Sequence, residues 1–459
     1  MWLNPLFERF IDNSPVTVIV RTLMESVLDE AKLDDLFEQT AQTGYTREIL
    51  FSTLVNMMVQ VVCSVHQSIG AVFKVMAGEM DVTKSAVYGK LNRLETCVSQ
   101  ALVRSTAQEL AALLGNMGAQ APNLLSPYRQ KILDGNGLAA TEHRLGVLRN
   151  QGAGALPGKS LVILEPALGL ATDLFLCEDG HAQERSLLPS LLETVKANDV
   201  LMGDRNFCTT GLLFGVASRQ AFFVIRQHQN LPWQAETELV DEGDTDAGQV
   251  FSQTGVVEYE GQQLRCRRVV VRLIQPTRNG ESEIALLSNL PDTVISAVLI
   301  AESYRGRWSI ETLFQVATVN FHCEIKTLGY PRAALFSFCM ALVAYNLFSA
   351  LKSILGNVHG VDAVGKLSYY YLADELEGTY RGMMIALPPS EWQGLAELSL
   401  GNLSDLLQDW AAKVNLSVFT SSPRKPKKPK PKPVYDPAHP HVSTARLLAQ
   451  KKARASPAK

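Results

Sequence analysis

Apolar positions recur at helical spacing through the first 125 residues, for example across 26–36 and 48–65, with Gly70 and Gly78 as punctuation and little strand signal. The pattern predicts an all-helical N-terminal domain over residues 1–125. Inside it, Thr83 or Ser85 can cap a helix that presents Lys90, Asn92 and Arg93, a form able to enter a major groove. An ordinary solvated amphipathic helix fits the same residues.

From residue 126 the period shortens. Lys131–Leu133, Leu161–Leu164, Leu170–Leu176, Val200–Met202 and Phe222–Ile225 are short apolar runs that read as strands, and helical patterns at 185–196 and 209–218 lie between some of them. This order predicts a mixed sheet covered by helices, its first part at 126–227. Across 228–290 helical spacing vanishes, and strands at 256–259, 264–274 and 284–289 are separated by Gly261 and Asn279-Gly280, which predicts a β-rich insertion. Helices resume over 291–355 as the second part of the same domain, and a helical C-terminal region follows at 356–420. Residues 421–459 form a basic Pro/Lys-rich tail, expected to be extended and mobile because the run 423–433 cannot pack a core. The class is therefore multidomain α/β.

Composition sharpens two points. The whole chain of 459 residues carries a formal charge of −3, yet from Arg424 onward eleven Lys or Arg face the single acid Asp436, about +10 against about −13 for the rest. A basic arm sits on an acidic body. The stretch 333–351 has no charged residue and reaches the length of a membrane span, but Ser337, Asn346 and Ser349 within it suit a buried core helix better. Seven scattered cysteines and an N-terminus without a basic-then-apolar segment suggest a reducing cytoplasm, nucleoid-associated if DNA is the partner. His322-Cys323 lacks partners at zinc spacing. No Walker-type phosphate loop occurs, so no ATP requirement is expected.

The candidate chemistry rests on acids. Asp134 ends Lys131-Ile-Leu-Asp and precedes Gly-Asn-Gly; it reads either as a carboxylate at a strand tip or as an Asp-Gly turn. Asp204 ends Val200-Leu-Met-Gly-Asp, with a solvated loop acid as the alternative. Glu311 follows Tyr304 and Arg307 at spacings that share one helical face, beside an apolar stripe of Ile310, Leu313, Phe314, Ala317 and Phe321. An Arg four residues before a Glu is also an ordinary helix ion pair. Three such carboxylates would suit two Mg²⁺ ions, or Mn²⁺, acting on a phosphodiester.

Together these blocks, Ile132-Leu-Asp134, Gly203-Asp-Arg-Asn-Phe207 and Tyr304-x2-Arg307-x3-Glu311, resemble the DDE transposases of bacterial insertion sequences, the group called insertion-sequence family four. The resemblance implies a ribonuclease H-like catalytic domain split by the β insertion. It implies that Asp134, Asp204 and Glu311 bind the metals, and that Tyr304 and Arg307 hold backbone phosphates, with Arg205 joining them unless it pairs with a nearby acid. Trp233, the lone Trp of the insertion, would correspond to a base-stacking residue, or else be structural. Where the signature continues with a Lys this chain has Thr318, and Lys326 is a candidate replacement.

Implied partners are the terminal inverted repeats and target DNA, bound by a homodimer, with cut-and-paste transposition, through a hairpin in relatives, as the reaction. Lys425, Lys427 and Lys428 of the tail would add salt-sensitive DNA affinity. A DNA-binding regulator without catalysis, to which Thr318 leans, and a ribonuclease H-like nuclease of repair or recombination are the rival readings.

Overall fold

The computed structural model describes residues 4–43, 48–76, 78, 81–138, 145–148, 155–277, 279–421 and 442–455. Helices α1 (Pro5–Asn13), α2 (Pro15–Val27), α3 (Glu30–Thr40), α4 (Phe51–Val62), α5 (Ile69–Met76), α6 (Lys84–Leu91) and α7 (Thr96–Met117) make up the N-terminal part. Asp29 breaks the 26–36 pattern by capping α3, its carboxylate accepting from the Lys32 N–H. Thr83 caps α6 through the Ala86 N–H, but this helix stops at Leu91, so Asn92 and Arg93 lie in the turn beyond it rather than on the helix.

The sheet begins with β1 (Arg129–Gly137); the two-residue β2 (Ala155–Leu156) lies outside it, and β3 (Lys159–Glu165) and β4 (Leu170–Cys177) follow within it. A 3-10 turn at Glu184–Leu187 and the short α8 (Leu188–Thr194) stand where one longer helix is expected from the leucine spacing, since Pro189 opens the α-helical turn. Then come β5 (Asp199–Gly203), α9 (Thr210–Ala217) and β6 (Phe222–Arg226). Strands β4, β3 and β1 are antiparallel neighbours, while β5 and β6 run parallel to β1, in the order β4-β3-β1-β5-β6.

The following strands are β7 (Trp233–Ala235), β8 (Val240–Thr245), β9 (Gly248–Tyr259), β10 (Gln262–Leu273) and β11 (Glu283–Ser288). They do not stand apart from the sheet. β11 pairs antiparallel with β6, Leu286 opposite Arg226, and β10, β9 and β7 extend the same sheet outward, with β8 also on β9. The β9–β10 hairpin closes at Glu260 and Gly261, both at positive φ (52° and 75°), as a tight two-residue hairpin turn demands.

Helices α10 (Ala297–Arg305), α11 (Ser309–Val319), α12 (Pro331–His359), α13 (Val361–Val364), α14 (Tyr369–Ala386), α15 (Ser390–Ala396) and α16 (Leu400–Ala412) follow. Strand alternation splits the core. Leu133, Leu201, Phe223 and Ile225 point to the side covered by α8 and α9, whereas Ile132, Met202 and Val224 point to the side covered by α10–α12 and the N-terminal helices. The long charge-free stretch forms most of α12 and is buried throughout 333–351, touching α7, α4, α2 and α16. Its polar residues are tied to the chain: Asn346 bridges the Ala171 N–H and carbonyl, Ser349 donates to the Gly169 carbonyl and Ser337 to that of Cys323. By length and composition α12 could cross a membrane, but here it is the packed centre of the helical layer.

Candidate active site

The carboxyl ends of the parallel strands carry the acids. On the β5 side, pairing of β1 stops at Ile132 opposite Met202; on the β3 side it runs on to Gly137 opposite Lys159. Asp134 is therefore no strand tip and no Asp-Gly turn. It sits inside β1, beyond the last parallel pair, on the same face as Ile132. Its Oδ1 accepts from the Gly135 N–H at 2.9 Å. Asp204 follows the last residue of β5 and accepts from the Asn206 N–H at 2.8 Å, capping a 3-10 turn at Arg205–Phe207. Gly203 before it is enclosed by Ile225, Phe207 and Leu133, which any Cβ would crowd at 3.2–3.3 Å.

Glu311 reaches the same place from the helical layer. The segment carrying it is not one helix: α10 ends at Arg305, a 3-10 turn spans Gly306–Trp308, and α11 starts at Ser309. Three residues per turn eclipse i and i+3, so Arg307 lies beside Tyr304, its guanidinium carbon 5.9 Å from the ring centroid. The buried Arg307 then spans two acids, Nη1 at 3.4 Å from Asp134 Oδ2 and Nη2 at 3.2 Å from Glu311 Oε1. The apolar stripe expected for this helix anchors it: Ile310, Leu313, Ala317 and Phe321 are buried and Phe314 is half-buried.

The electrostatics are those of acids crowded around one guanidinium. Burial first, and then the neighbouring charges of Asp204 and Glu184, push the Asp134 carboxyl up to about 6 despite Arg307 and the Gly135 N–H. Burial likewise raises the Tyr304 phenol to about 12. Arg307 is held more firmly protonated by Tyr304, Asp134, Glu311 and Asp204, which together outweigh the burial that opposes its charge.

Two neighbours carry no signature in the sequence pattern. Glu184 presses its carboxylate against the backbone of Gly135, where a Cβ would lie 2.2 Å from the carboxyl carbon, so any side chain there would push that carboxylate aside. The same carboxylate accepts from Asn206 Nδ2 at 2.7 Å, linking it to the turn capped by Asp204. Trp308 stands exposed with the Arg307 guanidinium 5.0 Å from its ring. The one hint of it is its place inside the motif, an aromatic between Arg307 and Glu311.

Other candidates fall elsewhere. Arg205 makes an ion pair with Glu281, which Arg226 also engages at 2.6 Å, so the salt-bridge alternative describes its contact. Trp233 lies half-buried in β7 on the backbone of Gly255, with Arg268 5.5 Å from its ring, a packed residue of the extended sheet. Thr318 faces inward to the Cys323 thiol at 3.8 Å. Lys326 lines a cavity of about 410 Å³ with His66, His322 and Glu324. Lys90 and Arg93 line another, of about 340 Å³, with Phe37, Glu95 and Arg332. Lys425, Lys427 and Lys428 lie outside the described residues.

By donor type, Asp134, Asp204, Glu311 and Glu184 suit a hard divalent cation, since all offer carboxylate oxygen. Among the described residues, however, no three acids or metal-binding side chains close into a ready-made cage, and Arg307 occupies the gap between Asp134 and Glu311.

Residues 127–347 match the protein family described as Transposase DDE domain. The match runs from the start of β1 into α12 and takes in Asp134, Asp204, Tyr304, Arg307 and Glu311. No curated protein matches the chain.

Proposed function

We propose that this chain is a DDE transposase of the insertion-sequence family four type, cutting element ends and joining them to target DNA. The observation that carries the reading is the convergence of Asp134 and Glu311 on one buried guanidinium, with Asp204 beside them, inside the stretch that matches a transposase DDE domain. The strand order β4-β3-β1-β5-β6, three antiparallel strands followed by two parallel ones, supports a ribonuclease H-like catalytic unit.

Asp134, Asp204 and Glu311 would hold two divalent cations, Mg²⁺ or Mn²⁺. When bound, such ions supply Lewis acidity at the scissile phosphate and lower the pKa of the attacking hydroxyl. In the first step a water oxygen bonds to phosphorus and the P–O3′ bond breaks, leaving a free 3′ hydroxyl at the element end. That hydroxyl then attacks a target phosphodiester and displaces the target's own 3′ oxygen. Arg307 keeps its charge through both steps and orients Asp134 and Glu311; Tyr304, packed beside it, fixes the guanidinium. The exposed Trp308 indole offers a stacking face to an unpaired base, a role better served there than at the packed Trp233. Two ends cut together require two active sites, hence a homodimer on DNA, acting in the cytoplasm at the nucleoid.

The test uses the inverted repeats flanking the coding sequence as labelled duplexes, with Mg²⁺ and an Asp204→Asn variant alongside. Nicked ends and joined products are expected from the native chain alone. Equal absence of both products in the two proteins would sink the enzyme reading and leave a DNA-binding regulator. Cleavage without joining would instead favour a repair or recombination nuclease.

A further inference from the structure

The last described residues return to the short strand that precedes β3, with which they form a separate two-stranded sheet. β12 (Val442–Ser443) pairs in parallel with β2, Val442 opposite Ala155 and Ser443 opposite Leu156, and α17 (Thr444–Ala455) continues from it. Ser443 and Thr444 are buried, and Arg446 bonds Asp179 at 2.7 Å. Gly180, next to that acid, lies so close to Leu156 that a Cβ would meet it at 2.5 Å. A strand pair, a buried corner and an ion pair thus fasten the start of α17 to the chain just before β3 and just after β4.

The fastening point is near the acids. Asp179 and Glu184 belong to one short connection, no more than about 18 Å end to end if fully extended, and Glu184 abuts Gly135 beside Asp134. From this base the helix, 12 residues long, projects about 18 Å. Beyond the half-buried Leu447 and Leu448 it is exposed, and its exposed end carries Lys451, Lys452 and Arg454 with no acid anywhere in the helix. A duplex presents one phosphate charge per about 1.7 Å, so a helix of this length spans about ten of them.

Resting on the transposase reading, we infer that α17 is a docked phosphate-binding arm, held by β12 and Arg446 so that Lys451, Lys452 and Arg454 grip DNA backbone flanking the scissile site. The partner is duplex DNA, recognised through its charge spacing rather than its bases. Residues 442–455 are accordingly part of the catalytic unit and not a free tail.

Two variants of the full-length protein separate docking from charge. K451A/K452A/R454A removes the cations; S443P/R446E keeps them while weakening the β12 ladder and turning the Asp179 contact repulsive. Binding to a short fluorescent duplex is measured between about 50 and 200 mM salt, and nicking of the flanking inverted repeats is measured with Mg²⁺. Removal of the cations is expected to weaken binding about tenfold and flatten the log–log salt slope by about 2 to 3 units, at roughly 0.9 for each phosphate no longer neutralised. The undocked variant is expected to keep most of its DNA affinity yet nick about tenfold more slowly. An unchanged salt slope in the triple variant overturns the inference, and so does native-rate nicking by the undocked one. Failure of the native chain itself to nick, beside Asp204→Asn, would instead count against the transposase reading.

Discussion

Two aspartates at opposite ends of the β1–β5 pair show how differently one sheet treats the same side chain. Asp199, at the amino end, is almost wholly buried and fully met: Arg129 and Lys131 each reach it at 2.7 Å, and the Lys196 N–H donates at 2.9 Å. Asp134, at the carboxyl end, has the shared Arg307 at 3.4 Å and the adjacent Gly135 N–H, with Asp204 and Glu184 adding negative charge nearby. One end of the strands is finished as structure. The other is left with more negative charge than its partners neutralise, as sites built to take up a cation are.

Replacing Asp134 with Asn should break that contrast most sharply. Nicking is expected to fall on the order of a thousandfold or more, read as the single-turnover rate, while the far-ultraviolet spectrum stays native. The same variant should be more stable than the native chain at pH 8. Because the folded-state pKa lies near 6, above the ordinary 3.8, the acid costs stability increasingly as pH rises above 3.8, and the cost is complete above about 6. Thermal melts should therefore show a gain of roughly 1–3 kcal/mol at pH 8 that disappears below about pH 4, where both folded and unfolded acids are protonated.

Asp199→Ala should do the reverse. It strands the largely buried Lys131 and is expected to cost about 3–5 kcal/mol in denaturant melts, with little change in rate per folded molecule. A native-like melting curve would show that the two ends are not specialised in this way. Gly135→Ala probes the seam between them: its methyl would displace the Glu184 carboxylate, and a loss of about tenfold in divalent-cation affinity by calorimetry, with a smaller loss of stability, is expected. Smallest is Glu281→Gln. Hydrogen bonds from Arg205 and Arg226 hold the Glu281 carboxyl down to about 2, so the advantage of the native chain should be full above about pH 4.5 and fade as pH falls toward 2. At this partly exposed pair it should stay below about 1 kcal/mol.

What could be read from the sequence was local. Apolar runs ending in Asp134 and Asp204, the stripe behind Glu311 and the charge-free core of α12 each follow from a period and its terminator. The strands at 256–259, 264–274 and 284–289 were legible too. Their attachment to β6 was not, because register between distant strands leaves no periodic trace. The 3-10 break at Gly306–Trp308 was hidden since spacings of three and four fit both helix types. Glu184 gave no sign because its importance comes from Gly135 lying against it, and the return of residues 442–455 to β2 joins segments remote in the chain.

The β6–β11 pairing has a consequence for how this protein can change. The chain leaves β6 at Arg226 and comes back to pair with it at Leu286, so everything between is an extension of the sheet whose departure and arrival are hydrogen-bonded neighbours. Closure is already provided by the ladder, and lengthening or trimming the far hairpin at Glu260-Gly261 changes the closure entropy only logarithmically. That hairpin is a place where foreign sequence can be grafted, or lineages can diverge, while the carboxylates at the strand ends keep their positions.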